Sequence, residues 1–228
     1  YTVKLTVSNA NGSDSETKTG YITVTNTRIK DITFENGDGS NNLTDPTTGA
    51  DSTAGTVSLE TSAPLDGGFS ATIPNVASSY LEENFSAADD IYVSFILRIS
   101  AIPGSTARIA LLSNAGSSVA ILQVLTDGRL QLRDSVANAT VGTSTIALTP
   151  GQTYHIGLHQ RKGSGSNAVL EAYVVAGAGP FGTTPPFASK TTGTWTTPAD
   201  RLRVGATNTV AVNATFDDIK LDTAILPN

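Results

Sequence analysis

The chain has 228 residues, too many for one small β-sandwich and suited to one large β domain or two modest ones. Charged residues make up 15% and the net charge is −6; with no basic run, this is a poor fit for nucleic acid or an anionic membrane. Cysteine is absent, which excludes disulfides, thiolate metal sites and cysteine nucleophiles.

Apolar alternation at period two dominates, and no segment carries a sustained helical period. The first stretch, Tyr1-Thr2-Val3-Lys4-Leu5-Thr6-Val7, alternates cleanly and meets a turn at Asn9-Ala10-Asn11-Gly12. A second strand is expected at Gly20-Tyr21-Ile22-Thr23-Val24. Together these residues resemble the last two strands of a PKD domain, an immunoglobulin-like sandwich. The resemblance implies that residues 1–26 are the end of a neighbouring module in a larger protein. Two strands cannot make a core, so this segment is expected to pack on the main domain or on a second copy of the chain. The chain also lacks Met, even at position 1, which predicts an excised or processed chain whose signal peptide, if it had one, lay upstream.

Asn26-Thr27-Arg28 reads as a linker, and residues 29–228 as the main domain. Strands are expected near 31–35, 55–61, 67–73, 78–82, 90–101, 106–113, 117–126, 128–134, 139–148, 152–161, 167–176, 187–195, 200–207 and 210–223. Asp127-Gly128 is a two-residue hairpin signal, 162–167 a hairpin tip, and Gly177 to Pro186 a Gly/Pro-rich loop holding Phe181. Many short strands with regular turns predict an all-β fold, a two-sheet antiparallel sandwich of the jelly-roll type. In Ile91–Ile99 the odd positions must be core, which leaves Tyr92, Ser94, Ile96 and Arg98 on the other face.

Three segments resemble the concanavalin A-like lectin and glucanase superfamily, which includes laminin-G-like and carbohydrate-binding jelly rolls. They are Ile32-Thr33-Phe34-Glu35-Asn36-Gly37-Asp38-Gly39, Tyr92 to Ile99, and Phe216-Asp217-Asp218-Ile219-Lys220-Leu221-Asp222. In such modules the first and last strands are neighbours and hold a structural Ca²⁺. The resemblance therefore implies a calcium site with Glu35, Asp38 and Asp218 as ligands. Calcium favours six to eight oxygens, which carboxylates and turn carbonyls supply. A solvated acidic turn is the alternative reading of the same residues.

Period two also groups polar side chains on the middle strands. Tyr92 and Arg98, then Arg129, Gln131 and Arg133, then His155 and His159, then Glu171 and Tyr173 would form one glycan-binding surface if their strands share a sheet. Arginine and glutamine can grip sugar hydroxyls, and tyrosine can stack on a sugar ring. An ordinary solvated sheet face is the plain alternative. His155 and His159 would stand about 13 Å apart on a strand, too far for one metal ion, and are expected as two surface histidines. Trp195 is equally a core anchor or a stacking platform.

No linear catalytic motif is present. The paired-carboxylate strand of laminarinases is missing, and His159-Gln160-Arg161 echoes the Gln-x-His strand of alginate lyases only faintly, in the wrong order. The chain is therefore expected to be no enzyme but a non-catalytic carbohydrate-binding module of a secreted, modular bacterial protein. Its partners would be a polysaccharide and neighbouring modules, with self-association through the N-terminal strands. A structural or adhesive module is the second reading, and a polysaccharide lyase or glycosidase the third.

Overall fold

A computed structural model of the chain describes residues 2–19, 27–36 and 42–228. Among the described residues nineteen strands run in chain order. The first seven are β1 (Val3–Asn9), β2 (Gly12–Lys18), β3 (Arg28–Ile32), β4 (Ser52–Ala54), β5 (Ser58–Glu60), β6 (Ser70–Val76) and β7 (Ser79–Ala88). The next six are β8 (Asp90–Ile99), β9 (Ala107–Asn114), β10 (Ser117–Val124), β11 (Arg129–Asp134), β12 (Ala139–Ala147) and β13 (Thr153–Arg161). The last six are β14 (Gly163–Ser164), β15 (Val169–Ala176), β16 (Ala188–Lys190), β17 (Thr194–Trp195), β18 (Ala199–Ala206) and β19 (Val212–Asp222).

Two antiparallel sheets carry the domain. The first has the order β16-β15-β13-β8-β19-β6-β5, with β3 also paired to β19. The second has the order β12-β11-β10-β9-β18-β7-β4. The first and last strands of the domain are thus neighbours, as the resemblance implied. One half of β19 pairs with β6 and the other with β3, and between them sits a bulge at which Asp218 takes φ +48°.

Period-two alternation places the core between the sheets. Ile91, Val93, Phe95, Leu97 and Ile99 of β8 are fully buried, as are Ile156 and Leu158 of β13, Leu122 of β10 and Phe216 of β19. Each such side chain stabilises by about 1.5–3 kcal/mol relative to exposure. Trp195 joins this core at 1% exposure, and its ring nitrogen donates to the buried Asp134 carboxylate at 3.2 Å.

The turns differ from expectation in detail. Leu125 donates to the Arg129 carbonyl at 2.9 Å, so the β10–β11 hairpin closes on the three residues Thr126-Asp127-Gly128, not two. Gly128 takes φ +82°, the left-handed position that such a loop requires. At the N-terminus β1 pairs with β2, and the strand expected at 20–24 lies outside the described residues. Leu5 and Val7 stay 66% and 62% exposed, so the expected packing on the main domain is not found among the described residues. A two-stranded ribbon has too little apolar area to enclose its own side chains.

Candidate functional site

The outer face of the first sheet gathers most of the polar side chains expected to share a surface. Register sets them in rows. Tyr92 on β8 faces His159 on β13, which faces Glu171 on β15. One step along, Ser94 faces Gly157, which faces Tyr173. Two steps along, Ile96 faces His155, which faces Val175.

The first row is a connected cluster. The Tyr92 and His159 rings stack with centroids 3.9 Å apart and planes 7° from parallel. His159 Nδ1 lies 3.2 Å from a Glu171 oxygen, and Nε2 lies 2.8 Å from an Asp90 oxygen. Carboxylates only accept, so a ring nitrogen that carries the proton is the donor to the carboxylate it faces. The Tyr173 hydroxyl donates to the same Glu171 oxygen at 2.8 Å, and the Ser189 hydroxyl to the other at 3.0 Å. Burial resists ionisation of Glu171, but these donors outweigh it and hold the carboxyl below its usual range. Tyr173 is pushed up, first by burial and then by its bond to Glu171, so its hydroxyl keeps its proton at neutral pH. Tyr92 is pushed up by burial and by Asp90, with Arg161 pulling the other way. Arg161, two residues past His159, donates its Nε to the Asn167 carbonyl at 2.9 Å.

The middle of the same face is covered. A side chain at Gly157 would meet Leu226 at 2.9 Å and Phe181 at 3.1 Å, so both lie directly above it. Phe181 packs on the His155 ring at 4.1 Å and edge-on to Tyr173 at 6.0 Å. His155 Nδ1 lies 2.9 Å from the Gly179 carbonyl. Burial pulls His155 down, opposed by that bond.

Several expectations are corrected by this geometry. Arg129, Gln131 and Arg133 lie on β11, in the second sheet, so they share no surface with the histidines. Alternation fixes a residue's face but not its sheet, and β11 pairs with β10 and β12. The histidines are buried, at 2% and 6% exposure, instead of lying on the surface, because Phe181 covers one and Tyr92 stacks on the other. Arg98 stands on the expected face but at its far end, where it donates to the Ala63 carbonyl at 2.5 Å.

The residues expected to hold calcium are placed as follows. Glu35 accepts the backbone amides of Gly68 and Phe69, both at 2.8 Å. Asp218 pairs with Lys220 at 2.5 Å, and Asp38 lies outside the described residues. Among the described residues no three acidic or histidine side chains gather as a metal would require. Sequence reasoning missed Asp90 and Arg161, although the alternation of β8 and β13, extended one step, finds both. Phe181 and Leu226 lie in loops and carried no such signal.

No family model matches the chain, and no curated protein does. Solved structures share its fold. An endo-β-1,4-glucuronan lyase from the fungus Trichoderma reesei superposes with a TM-score of 0.58 at 12% identity, over 88% of this chain and 96% of that one. The alginate lyase Aly36B gives 0.53 at 12%, over 90% and 100%. An alginate lyase from Aplysia kurodai gives 0.52 at 11%, over 74% and 87%. At such identity the likeness is one of fold. It nevertheless overturns the expectation of a non-catalytic module, which rested on the lack of a linear motif. These neighbours are enzymes by name, two of them matched over 88% and 90% of this chain, and no helix of the described residues is long and apolar enough to cross a membrane.

Proposed function

We propose that this chain is the catalytic domain of a polysaccharide lyase that cleaves an acidic polysaccharide by β-elimination outside the cell. The observation that carries the reading is the cluster at the uncovered end of the first sheet, where His159, Tyr173, Tyr92 and Arg161 share one face with Glu171 behind them.

β-Elimination from a uronic acid needs three services. A cation must neutralise the sugar carboxylate, so that the carbon beside it can lose a proton. A base must take that proton. An acid must protonate the glycosidic oxygen, which leaves with the electron pair of its bond to carbon, while the pair left behind by the abstracted proton becomes the carbon–carbon double bond. Arg161 suits the first role, its fork of donors only partly used by Asn167. His159 suits the second in the neutral tautomer whose proton sits on Nδ1 toward Glu171, which leaves Nε2 to accept. Glu171 fixes the ring through Nδ1, and Asp90, with a side chain 33% exposed, is the partner that a substrate can displace from Nε2. Tyr173 suits the third, because its hydroxyl stays protonated. Tyr92 holds the imidazole plane by stacking.

The fold neighbours support the same class of substrate, since one is named for glucuronan and two for alginate. The test is mass spectrometry of products after incubation with glucuronan, alginate and neutral glucans. Fragments lighter by one water than hydrolysis products are expected from an acidic polymer alone. Products at hydrolytic mass, or none from any polymer, would overturn the reading.

A further inference from the structure

The middle of the outer face holds polar groups for which the site described above has no use. Ser94 is fully buried and His155 is 2% exposed. Neither Ser94 Oγ nor His155 Nε2 has a hydrogen-bond partner among the described residues. Leaving a buried donor or acceptor unsatisfied is costly, and most native structures avoid it. Here two such atoms flank Gly157, whose missing side chain makes room for Leu226 and Phe181. A fold that needed only an apolar seal would have no reason to set a serine and a histidine beneath it.

The seal itself is held by few polar ties. The Phe181 amide donates to the Asn228 side-chain oxygen at 3.1 Å, which joins the loop to the C-terminal segment. Lys220 Nζ donates to the Asn228 main-chain oxygen at 2.8 Å. In register, Lys220 is the next residue across the row from Ser94. Thr223, Ala224 and Ile225 are exposed, and no strand contains them.

We propose that Ser94, Gly157 and His155 form the floor of a further sugar subsite, closed by Leu226 and Phe181 acting as a displaceable plug. The inference rests on the lyase reading, because the subsite continues the row of Tyr173 away from the reacting bond. When the plug moves, Ser94 Oγ and His155 Nε2 gain sugar hydroxyls as partners. Lys220 exchanges the Asn228 oxygen for a sugar carboxylate. Gly157 leaves space for a ring to lie flat on the sheet. Phe181 touches Tyr173 in the closed state, so opening and seating of the acid are coupled. The ligand class is a run of uronic acid residues longer than the pair that reacts.

The chain has only two histidines, one in each region, and their imidazole proton–nitrogen NMR signals report the regions separately. The Tyr173→Phe variant keeps the ring against Phe181 and slows turnover, so it can be titrated with a glucuronan or an alginate hexasaccharide before much is cleaved. At saturation both histidine signals are expected to move, and hydrogen exchange at the Phe181 amide to rise roughly tenfold as its tie to Asn228 breaks. Leu226→Ala in the same background is expected to bind the hexasaccharide about three- to tenfold more tightly, because less of the protein starts closed. A shift at His159 with His155 and the Phe181 amide unchanged overturns the subsite and leaves the lyase reading standing. No shift at either histidine overturns both. Unchanged or weaker binding by Leu226→Ala contradicts the plug.

Discussion

The uncovered end and the covered middle of the first sheet's outer face are built on opposite plans. At the uncovered end the imidazole of His159 and the carboxylate of Glu171 are matched on both sides. Glu171 alone takes contacts from His159, Tyr173 and Ser189, so the imidazole and the phenol are fixed before any ligand arrives. In the middle, Ser94 and His155 sit under apolar side chains with atoms left unpaired. Preorganisation suits groups that take part in chemistry, where misplacement by about 1 Å can cost about a hundredfold. Unpaired atoms beneath a cover suit groups that meet their partner only when the cover leaves.

The largest effect that would sharpen this contrast is on turnover. Tyr173→Phe is expected to lower kcat on an acidic polysaccharide by about 10²–10⁴-fold with little change in KM, as initial rates would record. A loss below tenfold would place the acid elsewhere. Phe181→Ala probes the other region. It removes a side chain 5% exposed, and denaturant melts are expected to lose about 3 kcal/mol. A loss under about 1 kcal/mol would mean that the loop is barely seated.

Asp217, across from Ile96 in register and bonded to Asp66 and Ser70, gives a test through pH. Burial pushes its carboxyl up to about 6 against three hydrogen bonds that favour ionisation. A group raised in the folded state contributes stability that is complete below its unfolded value near 3.8 and lost as pH climbs through about 6. Relative to Asp217→Asn, the wild-type chain is therefore expected to lose up to about 3 kcal/mol between those limits and nothing further above them. Urea melts across that window would show it, and parallel curves would contradict it. The smallest effect is expected inside the sandwich. Gln160 is fully buried on β13 with neither amide atom paired among the described residues, so Gln160→Leu should gain about 1 kcal/mol in thermal melts.

Much of this was legible in the sequence. The alternation of Ile91 to Ile99 placed Tyr92 and Ser94 on the outer face, and the same period placed His155, His159, Glu171 and Tyr173 beside them. Two things were not legible. The sheet that receives a strand depends on long-range pairing, so Arg129, Gln131 and Arg133 could not be separated from the histidines by period alone. Nor does a loop announce what it covers. Ile96, Gly157 and Val175 do interrupt the polar face with apolar or missing side chains. That interruption was the available sign that something apolar sits on top. The absence of a linear catalytic motif misled for a related reason, since His159, Glu171, Asp90 and Tyr173 come from three strands and meet only across the sheet.

The most direct measurement is the ultraviolet absorbance of glucuronan and alginate solutions incubated with the wild-type chain and with Tyr173→Phe. A steady rise from the new conjugated double bond is expected with the wild-type chain, at least a hundredfold slower in the variant. A folded wild-type protein that produces no such absorbance from either polymer would contradict the assignment of His159 and Tyr173 to β-elimination.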